Sequence, residues 1–184
     1  MNTMVLPFFT IGHSNRSLAD FIELLRSARV ERVVDIRKMP MSRANSQFNR
    51  DTLPAALAEM QISYAHIAAL GGLRGRMQAL PPDINGLWKN RSFHNYADYA
   101  LSDTFRAGLE ELRGEGHRWR CAMMCSEAVW WRCHRRIVSD YLIAQGETVF
   151  HIMGEGRFDE ARLTPGAKPR PDGTVIYPAP DEPS

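Results

Sequence analysis

The chain has 184 residues, enough for one domain with its own buried core and too few for two ordinary ones. Hydrophobic residues make up 44% and charged residues 24%, a globular balance, and no run approaches the roughly 18 to 20 apolar residues of a membrane span. With 23 basic and 21 acidic residues the net charge is +2, so bulk charge does not imply nucleic acid and any cationic surface must be local.

Val5 to Ile11, apolar with aromatic and β-branched members and closed by Gly12, reads as a first strand. It has no basic flank or small-residue cleavage site of a secretory signal. Ser17 then caps a helix in which Leu18, Phe21, Ile22, Leu24, Leu25 and Ala28 recur at intervals of three and four. Arg32 to Ile36 is a second strand, with Asp35, Arg37 and Lys38 at its end before Met39 and Pro40 break the pattern. Asp51 to Met60 reads as a short helix with Pro54 in its first turn, and Ile62 to Ala68 as a third strand. Leu70 to Gly75 and Pro81 to Lys89 form a long irregular stretch of the kind that serves as a lid. Helical spacing resumes from Asn95 to Leu112, with Gly114 and Gly116 as the expected stop.

Trp119 to Cys125 is a nearly continuous apolar strand, as in a parallel sheet covered on both faces. A helix from Arg132 to Gln145 and a last strand from Thr148 to Met153 follow. Alternating strands and helices predict an open, mostly parallel five-stranded α/β sheet flanked by helices. The proline-rich end predicts an extended strap or small hairpin over Arg162 to Tyr177. One α/β domain over residues 1–177 and a disordered tail over 178–184 are expected.

The segment CAMMCSEAVWWRCHRR, Cys121 to Arg136, holds all three cysteines, a histidine, a carboxylate, three arginines and two adjacent tryptophans. An odd number of cysteines in one segment reads as reduced thiols in a cytoplasmic protein rather than a disulfide framework. Parallel strands bring their carboxyl ends to one edge, so His13 and Ser14, Asp35 with Arg37, Gly71 and Gly72, and Cys125 with Glu127 should share a crevice.

Cys125 is a candidate nucleophile or redox thiol, activated by His134, arginines or the following helix N-terminus, with a buried core cysteine as the bland alternative. Glu127 and Asp35 are candidate orienting or acid–base groups. His13, Ser14, Arg37, Ser42, Arg43, Gly71, Gly72 and Arg135 are candidate substrate-binding residues, the arginines matching phosphate or carboxylate. Cys125, Cys133 and His134 could ligate zinc, but the spacing lacks a close cysteine pair and would need a fourth ligand such as Glu127 or His13, so no resident cofactor or metal is assigned. A phosphatase-type C-x₅-R loop fails by one residue, because Arg132 is the first arginine after Cys125. Trp130 and Trp131 could stack a base, or cover a core or a homodimer patch.

TIGHSN, VVDIRKMPMSR, ISYAHIAALGG, FHNYADYA and MCSEAVWWRCHRR, in this order, together resemble the domain of unknown function family 488 over Phe8 to Tyr177. The resemblance implies an α/β domain without fixing a reaction. Its cysteine motif falls on Cys125, Glu127, Cys133, His134 and Arg135, while the spacer from Ala128 to Arg132 is less polar here than in the family pattern. The leading expectation is an enzyme-like domain that binds a small anionic or nucleotide-like substrate, with cysteine and histidine performing nucleophilic or acid–base chemistry. The alternatives are a nucleic-acid-binding module using arginine and tryptophan, and a zinc-stabilised structural domain.

Overall fold

The computed structural model describes residues 5–77 and 80–181. The elements run β1 (Phe8–Gly12), α1 (Leu18–Ser27), β2 (Arg32–Asp35), α2 (Leu53–Ala58), β3 (Ser63–His66), α3 (Arg91–Tyr99) and α4 (Asp103–Arg118). They continue with β4 (Cys121–Cys125), α5 (Arg135–Ala144), β5 (Val149–Gly154), β6 (Arg157–Glu160), β7 (Lys168–Pro169) and β8 (Val175–Ile176). Strand order is β3-β2-β4-β1-β5-β6, parallel throughout except for β6. The expected five parallel strands are all present, and β7 and β8 form the small hairpin within the C-terminal strap.

Helices α1 and α2 pack on one face of the sheet and α3, α4 and α5 on the other, as right-handed crossovers in this strand order require. Strand side chains alternate between these faces. Phe9, Ile11, Val33, Ala122 and Met124 pack with Phe21, Leu25, Leu53 and Leu57, whereas Phe8, Val34, Cys121, Met123 and Cys125 pack with Leu109, Ile137 and Leu142. This alternation aims Cys125 at the start of α5. Gly12 stands opposite Cys125 and Asp35 opposite Met124, so β1, β4 and β2 end level at one edge. The chains from β2 and β4 leave in opposite directions there, which opens a crevice between them.

The single helix expected over Asn95 to Leu112 is two helices, because Ser102 accepts the Phe105 N–H (3.2 Å) and starts a new N-terminus. Both halves face the same core, so the apolar spacing runs on across the break. Gly114 and Gly116 lie inside α4 instead of ending it. The sixth strand, β6, is an edge strand, RFDE, with three charged residues and a single apolar one, Phe158, too few for the apolar alternation that marks a covered strand, and it follows a turn at Gly156 with φ of +68°. Of the expected tail, residues 182–184 lie outside the described residues, and Pro178 to Asp181 carry no regular structure. The irregular stretch is pinned near its end. Asn85 donates to Asp98 Oδ1 (2.7 Å) and accepts the Tyr177 N–H (3.0 Å), while Leu87 N–H bonds Tyr177 O (2.9 Å). Residues 78–79 of that stretch lie outside the described residues.

A Cβ on Gly116 would stand 2.1 Å from the fully buried Phe8 ring. In an open helix Gly→Ala gains about 1 kcal/mol, but overpacking a core costs about 1 to 3 kcal/mol. Gly116→Ala is therefore expected to destabilise the protein by about 1 kcal/mol net, lowering the urea midpoint at unchanged slope.

Candidate functional site

The level ends of β1, β2 and β4 form the floor of an open cleft of about 440 Å³. His13, Arg37, Ser42, Gly72, Cys125, Ser126, Glu127, Cys133 and His134 reach it from these ends, from the loop after β3 and from the start of α5. Met39, Met41, Leu73 and Phe93 supply an apolar wall, and Lys38 and Arg132 a cationic rim. Met39, Met41 and Leu73 are 77%, 59% and 90% exposed, so this wall is open to solvent.

The chemistry concentrates where β4 meets α5. Cys125 Sγ and Cys133 Sγ lie 2.6 Å apart, both as free thiols. Cys133 Sγ accepts the Arg135 backbone N–H (3.4 Å) at the N-terminus of α5, where the helix dipole favours negative charge. His134 Nδ1 is 3.6 Å from the same sulfur, and its Nε2–H donates to Ile36 O (3.0 Å). Because a carbonyl can only accept, that contact fixes the tautomer and leaves Nδ1 as the basic nitrogen facing Cys133.

The Arg135 side chain, 1% exposed, donates through Nη1 to Cys125 Sγ (2.6 Å) and Glu127 O (2.7 Å), and through Nη2 to Ala128 O (3.3 Å). Burial alone would raise the Cys133 pKa, but the bond from Cys125 and the Arg135 charge and N–H bring it below that of an ordinary thiol. Burial and the Cys133 partner push Cys125 well above it. Burial lowers the His134 pKa and keeps the ring neutral at neutral pH. The cluster thus holds one acidic thiol, one reluctant thiol and a neutral base.

A second cluster braces the β2 end. Arg37 forks onto Asp35 through Nε to Oδ1 (2.9 Å) and Nη2 to Oδ2 (2.8 Å). Its Nη2 also donates to Phe48 O (2.6 Å) and its Nη1 to His13 Nε2 (3.2 Å). Asp35 Oδ2 further accepts the Tyr64 hydroxyl. His13 donates from Nδ1 to Ser14 O (2.7 Å) and stacks on Phe48, and burial followed by the Arg37 charge lowers its pKa. Four of the five Arg37 N–H donors are thus satisfied within the protein.

Residues 17–142 match the family described as Domain of unknown function DUF488. The chain belongs to that family. The match takes in Asp35, Arg37, Cys125, Glu127, Cys133, His134 and Arg135, and it is narrower than the Phe8 to Tyr177 span of the motifs, leaving out β1 with His13. Neither the curated proteins nor the solved structures contain a match to this chain.

Within this DUF488 chain the sequence-derived candidates divide by position. Ser14, Asp35, Arg43, Gly71 and Arg135 do not line the cleft. Asp35 and Arg135 act from beneath it, through Arg37 and the two thiols. The expected anion clamp of Arg37, Arg43 and Arg135 is not assembled, because two of these guanidinium groups are buried against protein acceptors and Arg43 is exposed off the cleft. The cations free to meet a ligand are Lys38 and Arg132, neither of which forms an ion pair among the described residues.

Gly71 and Gly72 serve close packing: a Cβ would stand 2.4 Å from the Lys38 nitrogen at the first and 3.1 Å from His134 Nδ1 at the second. Gly12 does the same, since its Cβ would fall 1.6 Å from Glu127 O. Sequence reasoning placed Cys133 in the family's cysteine motif and among candidate metal ligands, and missed it as the acidic thiol. Its place just before an apolar helix was the available signal. Among the described residues no three His, Cys, Asp or Glu side chains converge to hold a metal ion. Trp130 stacks flat on the buried His151 (4.5 Å between centroids), covering core, while Trp131 is exposed.

Two outcomes follow from the buried titratable groups. Asp35→Ala leaves the Arg37 guanidinium buried without its counter-ion and should cost about 3 to 5 kcal/mol in urea denaturation. His151 accepts or donates at Thr10 Oγ1 (2.7 Å), and burial, with the Arg135 charge, lowers its pKa from 6.5 to about 3. Below pH 6.5 the unfolded chain takes up a proton that the folded His151 refuses, so stability should fall as pH drops from 6.5 towards 3. His151→Gln should flatten that fall by up to about 1.4 kcal/mol per pH unit, read from urea midpoints at pH 6, 5 and 4.

Proposed function

We propose that this protein is an enzyme whose cleft binds a small anionic or nucleotide-like substrate, with Cys133 as nucleophile, His134 as base and Cys125 as partner thiol. The observation that carries the reading is the position of Cys133: its sulfur lies at the N-terminus of α5, bonded to the Arg135 N–H and beside the free nitrogen of His134, on the wall of an open cleft. A purely structural cysteine has no use for a base and an anion-favouring helix end together. Lys38 and Arg132 on the rim would draw the anion in and the apolar wall would take its uncharged part. Three thiols within one chain suit a reducing compartment, and we place the protein in the cytoplasm. The nucleic-acid reading has less support, because Trp130 is stacked inward and only Trp131 is presented as a platform.

The test is alkylation by iodoacetamide followed over pH with site assignment by mass spectrometry. Cys133 is expected to react with a midpoint below that of free cysteine, and Cys133→Ser to lower the rate at pH 7 by about tenfold or more. Inorganic phosphate should protect the thiol, and Lys38→Ala with Arg132→Ala should weaken that protection. Alkylation of Cys133 no faster than free cysteine would sink the reading.

A further inference from the structure

We propose that Cys133 and Cys125 act as attacking and resolving thiols in exchange with small disulfides derived from amino acids or short peptides. The inference rests on the reading just given and names its reaction and substrate class. Three observations carry it. The sulfurs are 2.6 Å apart and both line the cleft, so a disulfide bonded to one is already within reach of the other. Arg135 touches both, through its backbone N–H at Cys133 and its guanidinium at Cys125, so negative charge is met by a donor on whichever sulfur it falls. The cleft mouth carries charges of both signs: Lys38 and Arg132 suit carboxylates, and the exposed Glu127, which forms no ion pair among the described residues, suits an ammonium group. A molecule bearing both groups on a short chain is zwitterionic, as amino-acid and peptide disulfides are.

The Cys133 thiolate attacks one sulfur of the substrate disulfide, forming a mixed disulfide and expelling the other half as a thiolate. Cys125 then attacks the Cys133 sulfur. Its proton leaves with the second half, which departs as a thiol, and the charge on the developing Cys125 thiolate is met by Arg135. The substrate disulfide is reduced by two electrons and the protein dithiol is oxidised by two, giving a Cys125–Cys133 disulfide. A low-molecular-weight thiol returns the pair to the reduced form. Cys121, at the other end of the same strand and away from the cleft lining, stays outside the exchange.

The experiment treats the reduced full-length protein with oxidised glutathione at pH 7, quenches with acid and maps the products by mass spectrometry. The expected result is a Cys125–Cys133 disulfide in the wild type, one glutathionyl adduct held on Cys133 in Cys125→Ser, and no adduct in Cys133→Ser. Replacing Lys38 and Arg132 together by Ala, or Glu127 by Gln, should slow the reaction with oxidised glutathione about fivefold more than that with uncharged 2-hydroxyethyl disulfide. A wild-type protein that remains a dithiol under these conditions overturns the exchange. If its Cys133 still alkylates rapidly, the nucleophile stands and only the disulfide chemistry falls. Adducts formed equally on both single variants overturn the order of attack, and equal slowing with both disulfides overturns the zwitterionic substrate class.

Discussion

Strand β4 is hydrogen-bonded on both sides to parallel neighbours, and the ladder runs on beyond the strands themselves. His13 N–H bonds Cys125 O (2.9 Å), Ser14 N–H bonds Ser126 O (2.9 Å) and Ile36 N–H bonds Met124 O (3.0 Å). This continued pairing holds three loops level. A slip of one residue in β4 would turn Cys125 to the opposite face of the sheet and remove it from Cys133. Gly12 permits the close approach of the Glu127 backbone, and that carbonyl in turn holds the Arg135 guanidinium beside the thiol. The arrangement of the thiol pair therefore follows from backbone register before any side-chain chemistry is considered.

The charged groups divide into those that build the site and those that meet a ligand. Arg37 and Arg135 are long cations drawn inward: Arg37 meets Asp35, Phe48 O and His13, and Arg135 spends both terminal nitrogens on Cys125, Glu127 O and Ala128 O while its Nε stays buried without a partner. Lys38 and Arg132, each close in sequence to one of them, stay at the rim. Side chains of the same charge and almost the same address thus have different duties, set by which face of the turn they leave from. His13, His134 and His151 share a simpler fate. Burial comes first among the causes that lower each pKa, and all three are kept neutral. Of these, His134 alone has a free ring nitrogen beside a thiol.

Much of the fold was legible in the sequence because strand and helix periodicities are local. Five parallel strands, the Ser17 cap and the C-terminal hairpin rest on patterns of a few residues. The break between α3 and α4 was masked because both helices pack on one core and keep a common apolar spacing, leaving only Ser102 as its mark. Strand β6 was missed because an edge strand open to water needs no apolar face. The convergence of β1, β2 and β4 on one cleft was also legible, since it follows from parallel order alone.

The sequence by itself determined the α/β architecture, membership of the DUF488 family and the concentration of thiols, histidine and arginines between β4 and α5. Only the tertiary structure decided which arginines face solvent, which cysteine is the acidic one and why three glycines stand where they do. The physical reason is that these properties depend on desolvation and on partners distant in the chain. Arg37 meets His13, Ile36 meets His134 and Gly72 makes room for that ring, and none of these distances is written in local spacing.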